Sequence, residues 1–245
     1  MNKDLRIHLC PVGFEVKRVV DPLVWMRADK VYLITYKTGD EAQPYLEKIE
    51  SDLKNYPHIE LVKKYVDIWD LFKCLELMRE IISKESGNKL YVNVSTGTKI
   101  TAIAGMLSCM LWGALPYYAG VSYPSSKEMV PTVTEFVENP PDILPVYGIN
   151  KPKHEYILIL KLLKDNGSQL RKSRLIELLE NEGIIKKRSE GGNDLSTSAK
   201  HSQLRVLLEP MIRDWNYIQI AAEGRRSKVI LTDQGANALR IFGTS

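Results

Sequence analysis

The chain has 245 residues, 44% of them hydrophobic, with 34 Lys and Arg against 30 Asp and Glu for a net charge of +4. That is enough apolar material for one large domain or two ordinary ones without covalent staples. Three widely spaced cysteines (Cys10, Cys74, Cys109), no C-x-x-C pair and four unclustered histidines exclude a disulfide framework and a structural zinc site. No metal and no cofactor are expected, and a reducing cytoplasm fits.

The N-terminus, MNKDLRIHLC, carries charges and lacks the long apolar run of a signal peptide. Residues 5–10 then read as a short apolar strand, followed by strands at 31–36, 59–64, 90–94 and 117–121, with an edge strand at 132–137. Helical patterns lie at 41–55, at 69–84 (apolar at Leu71, Leu75, Met78, Ile82) and at 99–112. Strand–helix repeats of this length define an α/β class: a Rossmann-like, mostly parallel sheet covered on both faces, with a ligand crevice at the carboxyl ends of its strands.

No charge falls between Lys99 and Lys127. The helical part, 100–112, is too short for a bilayer, which needs about 20 apolar residues. Gly113 and Pro116 then interrupt it, so the expectation is a buried helix feeding a buried strand, with no membrane partner. The helix is rich in small residues (Ala102, Ala104, Gly105, Ser108) and is either core or shared at a subunit contact.

Residues 139–152, NPPDILPVYGINKP, hold four prolines and a glycine and read as a linker. The expected division is a ligand-binding domain over 1–138, this linker, and a second domain over 153–245. Charge supports the split. Residues 151–245 carry 17 Lys and Arg against 11 Asp and Glu, a net of +6, whereas 1–150 carry 17 against 19, a net of −2. Only the basic half is suited to a polyanion such as double-stranded DNA.

In that half, residues 154–164 form an amphipathic helix ended by Asn166-Gly167, and 170–181 a second ended by Gly183. A polar segment, 187–198, leads into a third helix through about Trp215. Two β-prone runs at 217–220 and 228–231 flank a glycine-containing hairpin tip, and a last helix starts near Thr232-Asp233. Three helices, a basic hairpin and a closing helix make a winged helix-turn-helix domain. Leu204, Leu207, Leu208, Met211 and Trp215 fall at core spacing in the third helix. That leaves Ser198, Lys200, Ser202, Gln203 and Arg205 for the DNA groove, with Arg225, Arg226 and Lys228 at the wing.

The fourth strand runs through Asn93-Val94-Ser95-Thr96-Gly97-Thr98-Lys99 straight into the apolar helix. A strand that turns on glycine into a helix presents free backbone N–H groups and a partial positive charge. Ser95, Thr96 and Thr98 add hydroxyls, and Lys99 adds a cation in the first helical turn, where the dipole favours an anion. The bland alternative is that Thr98 caps the helix, Gly97 makes the turn and Lys99 points to water. A Walker loop would need its lysine elsewhere, so a nucleoside triphosphatase is excluded. After the first strand comes a second turn, Pro11-Val12-Gly13-Phe14. Gly13 lets backbone approach a ligand, and Phe14 either stacks on a base or joins the core. There is no G-x-G-x-x-G, which argues against NAD.

With N-x-[ST]-x-G-x-K after the fourth strand and a winged helix behind it, the chain resembles the CARF (CRISPR-associated Rossmann fold) family, in particular its archaeal winged-helix branch of regulators. The resemblance implies a homodimer that binds a cyclic oligoadenylate across its two-fold axis, with Gly13 and its neighbours and Ser95, Thr96, Gly97, Thr98 and Lys99 contacting the ring. Many members carry two adjacent glycines in the second turn; this chain has Gly97 followed by Thr98. Two functions follow: a ligand-gated transcription regulator in CRISPR-associated antiviral defence, or a slow metal-independent ring nuclease using Lys99 and Ser95.

Overall fold

The computed structural model describes residues 4–37, 39–121, 139–187, 194–221 and 227–243. The edge strand expected at 132–137 and the wing arginines Arg225 and Arg226 lie outside the described residues. The chain divides into two compact units, Met1–Ile149 and Asn150–Ser245.

The first unit alternates β1 (Arg6–Pro11), α1 (Lys17–Trp25), β2 (Lys30–Thr35), α2 (Gln43–Leu53), β3 (Glu60–Tyr65), α3 (Leu71–Lys84), β4 (Lys89–Asn93), α4 (Lys99–Trp112), β5 (Leu115–Tyr118) and β6 (Asp142–Ile143). Its sheet runs in the order β3-β2-β1-β4-β5-β6. All neighbours are parallel except β6, which lies antiparallel on β5. Strand order therefore reverses between β1 and β4, the switch point outside whose carboxyl ends sheets of this kind take their ligands. Two residues of the expected linker close the sheet, at an edge where the flanking prolines forfeit no ladder bond.

Alternation along β4 places the helices on both faces. Asn93 reaches α1 on one side, its Nδ2 donating to Arg18 O at 2.8 Å. Val92 and Val94 meet α4 on the other, where a Cβ on Gly105 would come within 3.0 and 3.1 Å of them. Gly105 thus serves close packing on the sheet and Ser108 meets Met78 of α3, while Ile103 stays exposed. α1 was not anticipated. Its Pro22 lacks the N–H that would bond Arg18 O one turn back, and the Asn93 amide takes that place.

The second unit holds α5 (His154–Asp165), β7 (Gln169–Arg171), α6 (Lys172–Asn181), α7 (Thr197–Arg213), β8 (Ile218–Ala221), β9 (Lys228–Leu231) and α8 (Asp233–Phe242). The three strands form an antiparallel sheet, β7-β9-β8. Leu160, Leu163, Leu175, Leu179, Leu204, Leu208 and Met211 fill one core between the helices. Ser196 caps α7 and Thr232 caps α8, each accepting from an amide three residues on. This is the expected winged helix, with β7 as a third strand where the pattern predicts the start of the second helix.

Among the described residues no helix is long and apolar enough to cross a membrane. None of them gathers three His, Cys, Asp or Glu side chains that could hold a metal.

Candidate functional site

The two turns expected to meet at the β1 and β4 tips do meet. A Cβ on Gly13 would lie 2.8 Å from Gly97 N, and one on Gly97 would lie 2.7 Å from the Pro11 Cβ and 2.6 Å from Thr101 Oγ1. Gly97 also sits at φ +81°, where L side chains are strained. Gly13 is therefore fixed by close approach to the Gly97 backbone, and Gly97 by its φ and by the Pro11 and Thr101 side chains.

The hydroxyls build this arrangement rather than project from it. Thr96 is buried, and its Oγ1 donates to Pro11 O at 2.7 Å, tying the β4 turn to β1. Ser95 Oγ donates to Asn93 Oδ1 at 2.6 Å and accepts from Ala119 N at 2.8 Å. Thr98 caps α4 by accepting from Thr101 N at 3.1 Å, while its own hydroxyl donates to Ile68 O at 3.0 Å. Asn93 is fully buried, and Pro11 and Val12 belong to the core. What remains presented to solvent is Gly97 and Lys99, at the end of the helix where the macrodipole favours an anion. Thr98 as a cap and Lys99 toward water match the bland alternative, and both are also compatible with an open anion seat.

Phe14 is 57% exposed, tilted against Tyr45 at 5.2 Å between ring centroids; it is not core. Two residues that the sequence reading did not single out stand beside the turn. Arg18 is buried: its Nε donates to Ala119 O at 2.8 Å, its Nη1 meets Glu15 at 3.0 Å, and its guanidinium lies over the Tyr118 ring at 5.0 Å. Burial works against its charge, but Glu15 and Tyr118 outweigh that and hold its pKa above the ordinary arginine value. Periodicity places Trp69 at the start of the helix expected at 69–84. Asp70 instead caps α3, accepting from Phe72 N and Lys73 N at 2.9 and 3.1 Å, which leaves Trp69 in the preceding loop. The cysteines offer no nucleophile, since burial raises the Cys10 and Cys109 thiols to about 12 and Cys74 to about 11.

On the winged helix, Ser198, Ser202 and Arg205 line a groove of about 810 Å³ together with Lys172, His201 and Arg213. Lys200 and Gln203 lie elsewhere. Lys200 pairs with Glu180 of α6 at 2.7 Å, and Gln203 accepts from Lys186 N at 3.1 Å. Lys228 is half-buried and donates to Gln169 Oε1 at 3.3 Å.

Fold and site thus define a Rossmann-like domain, with two glycine turns joined at its switch point, in one chain with a winged helix. Residues 6–123 match the family described as HFX_2341_N-like, N-terminal, and residues 155–243 match the DUF6293 C-terminal winged helix domain. Each match spans less than half of the chain, and the pairing is consistent with the CARF-plus-winged-helix resemblance. The uncharacterized protein MJ1513 of Methanocaldococcus jannaschii is 31% identical over 128 residues, spanning 46% of this chain and 37% of that protein. This chain therefore covers well under half the length of that relative. Among solved structures, the chain is similar to Can2 from Sulfobacillus thermosulfidooxidans in complex with cyclic tetra-adenylate. That match has 13% identity and a TM-score of 0.43 over 94% of this chain and 77% of the other. It is also similar to Enterococcus italicus Csm6 bound to cyclic hexa-2′-fluoro-hexa-dAMP, at 11% identity and a TM-score of 0.39 over 88% and 57%.

Proposed function

We propose that the chain is a ligand-responsive, DNA-binding transcription regulator that senses a cyclic oligoadenylate in CRISPR-associated antiviral signalling. It acts as a cytoplasmic homodimer. Residues 1–138 are the sensor, 139–152 the linker and 153–245 the DNA reader. The observation that carries this reading is the Gly13–Gly97 contact, which fixes both turns at the base of α4, with Gly97 and Lys99 exposed at the helix start. Such a seat suits a phosphodiester. Because the Ser95 and Thr96 hydroxyls are already committed within the protein, retention of the ligand is favoured over its cleavage. Ligand binding need bias DNA affinity by only about 1–3 kcal/mol to act as a switch.

Incubation of the purified protein with cyclic tetra-adenylate, followed by chromatography, tests the reading. Intact bound ligand is expected. Linear fragments would make the chain a ring nuclease, and no binding would overturn the sensor. Lys99→Ala should weaken binding about ten-fold or more, because a charged partner of a phosphate is lost. On the DNA side, the double variant Arg225→Ala, Arg226→Ala should weaken binding to all sequences and lower the salt slope by about two. An unchanged slope would remove the wing from the interface.

A further inference from the structure

The carboxyl edge of the sheet carries a row of aromatic side chains that the anion seat does not use. Phe14 follows β1, Tyr36 follows β2, and Trp69 follows β3. Trp69 is 60% exposed, more than any other tryptophan or phenylalanine among the described residues. The Tyr36 ring braces it nearly edge-to-face, with centroids 4.7 Å apart at 76°. An indole so fixed and so exposed adds little to the core, where its area would be worth most.

Its position gives it a partner chemistry. Ile68 O accepts the Thr98 hydroxyl at 3.0 Å, and Trp69 and Lys99 are the residues that directly follow the two partners of that bond. Two exposed residues, Trp69 and Lys99, therefore leave the backbone next to one hydrogen bond that joins the β3–α3 loop to the start of α4. A flat π-surface beside a phosphate seat fits a nucleotide, since every base has a π-face and stacking needs no directional donor. The two-ring indole offers a purine more overlap than a pyrimidine.

We propose that Trp69, braced by Tyr36, is the stacking platform for a purine base of the ligand whose phosphate lies at the start of α4. This rests on the sensor reading above and adds to it a residue that selects for base as well as for charge. Phe14, seated on Tyr45, is a second ring on the same edge.

The test uses the full chain and cyclic tetra-adenylate, with affinity and tryptophan emission read together. Wild-type emission should be quenched on titration, and that quenching should disappear in Trp69→Phe. Trp69→Leu should bind about ten-fold more weakly or worse, with Trp69→Phe restoring most of the loss and both variants melting as wild type does. Wild-type affinity in Trp69→Leu would overturn the platform and leave the sensor reading standing. Equal losses in the Leu and Phe variants, or a lowered melting temperature in both, would assign Trp69 a structural role and overturn it as well. Failure of the wild type to bind at all would overturn both.

Discussion

Asn93→Ala is expected to destabilise the first unit by on the order of 4 kcal/mol and to abolish ligand binding with it. The side chain is fully buried and satisfies three groups: Arg18 O at 2.8 Å, Ser95 N at 2.9 Å and Ser95 Oγ at 2.6 Å. Truncation orphans a buried carbonyl and a part-buried amide, each costing about 1–3 kcal/mol, and leaves a small cavity. The carbonyl has no substitute donor, because the residue one turn along α1 is Pro22. Asn93→Asp should fare no better, since it would set an oxygen against Arg18 O. Urea unfolding followed by tryptophan emission reports mainly this unit, which holds Trp25, Trp69 and Trp112, leaving only Trp215 to the other. Lys99→Ala is the control: an exposed change that should stay within about 0.5 kcal/mol of wild type. A loss below about 1 kcal/mol for Asn93→Ala would show that the turn is braced by something else.

That one side chain also shows where sequence reading reaches its limit. The five parallel strands were legible because each is a short apolar or alternating run bounded by turn residues. The β4–α4 turn was legible because strand, glycine and apolar helix follow one another without a gap. Helix α1 was not, because Pro22 forbids it on local grounds, and the donor that rescues it lies 75 residues away on another element. β6 and β7, at two and three residues, are too short to carry a period. The site divides in the same way. Gly97, Thr98 and Lys99 could be placed by spacing alone. The duties of Ser95 and Thr96 depend on Ala119 and Pro11, which only the folded sheet brings near. Periodicity extends the helix expected at 69–84 over Trp69, since an aromatic fits an amphipathic pattern, whereas the Asp70 side chain bonds the first-turn amides and starts the helix after it.

Acid should unfold the first unit early, through His8. This residue is buried in the middle of β1, with its ring stacked on Tyr91 at 4.9 Å and its Nδ1 3.4 Å from the Tyr117 hydroxyl. Its Nε2 has no partner among the described residues. Burial lowers its pKa from 6.5 to about 3; the nearby Asp29 opposes the shift and Arg6 adds to it. The unfolded chain therefore takes up a proton below about pH 6.5, while the folded chain declines it until about pH 3. The unfolded state binds more protons throughout that window, so stability falls as pH falls and is fully present only above it. At about 1.4 kcal/mol per unit, roughly 2 kcal/mol is lost by pH 5 and about 4 kcal/mol by pH 3, where the folded chain is itself half protonated. His8→Phe keeps the ring stack and removes the titration, so its unfolding free energy should fall by about 2 kcal/mol less than that of wild type between pH 7 and pH 5. Parallel pH profiles for the two proteins would show that His8 is protonated as readily in the fold as outside it, and that the polar centre of the sheet is open to water.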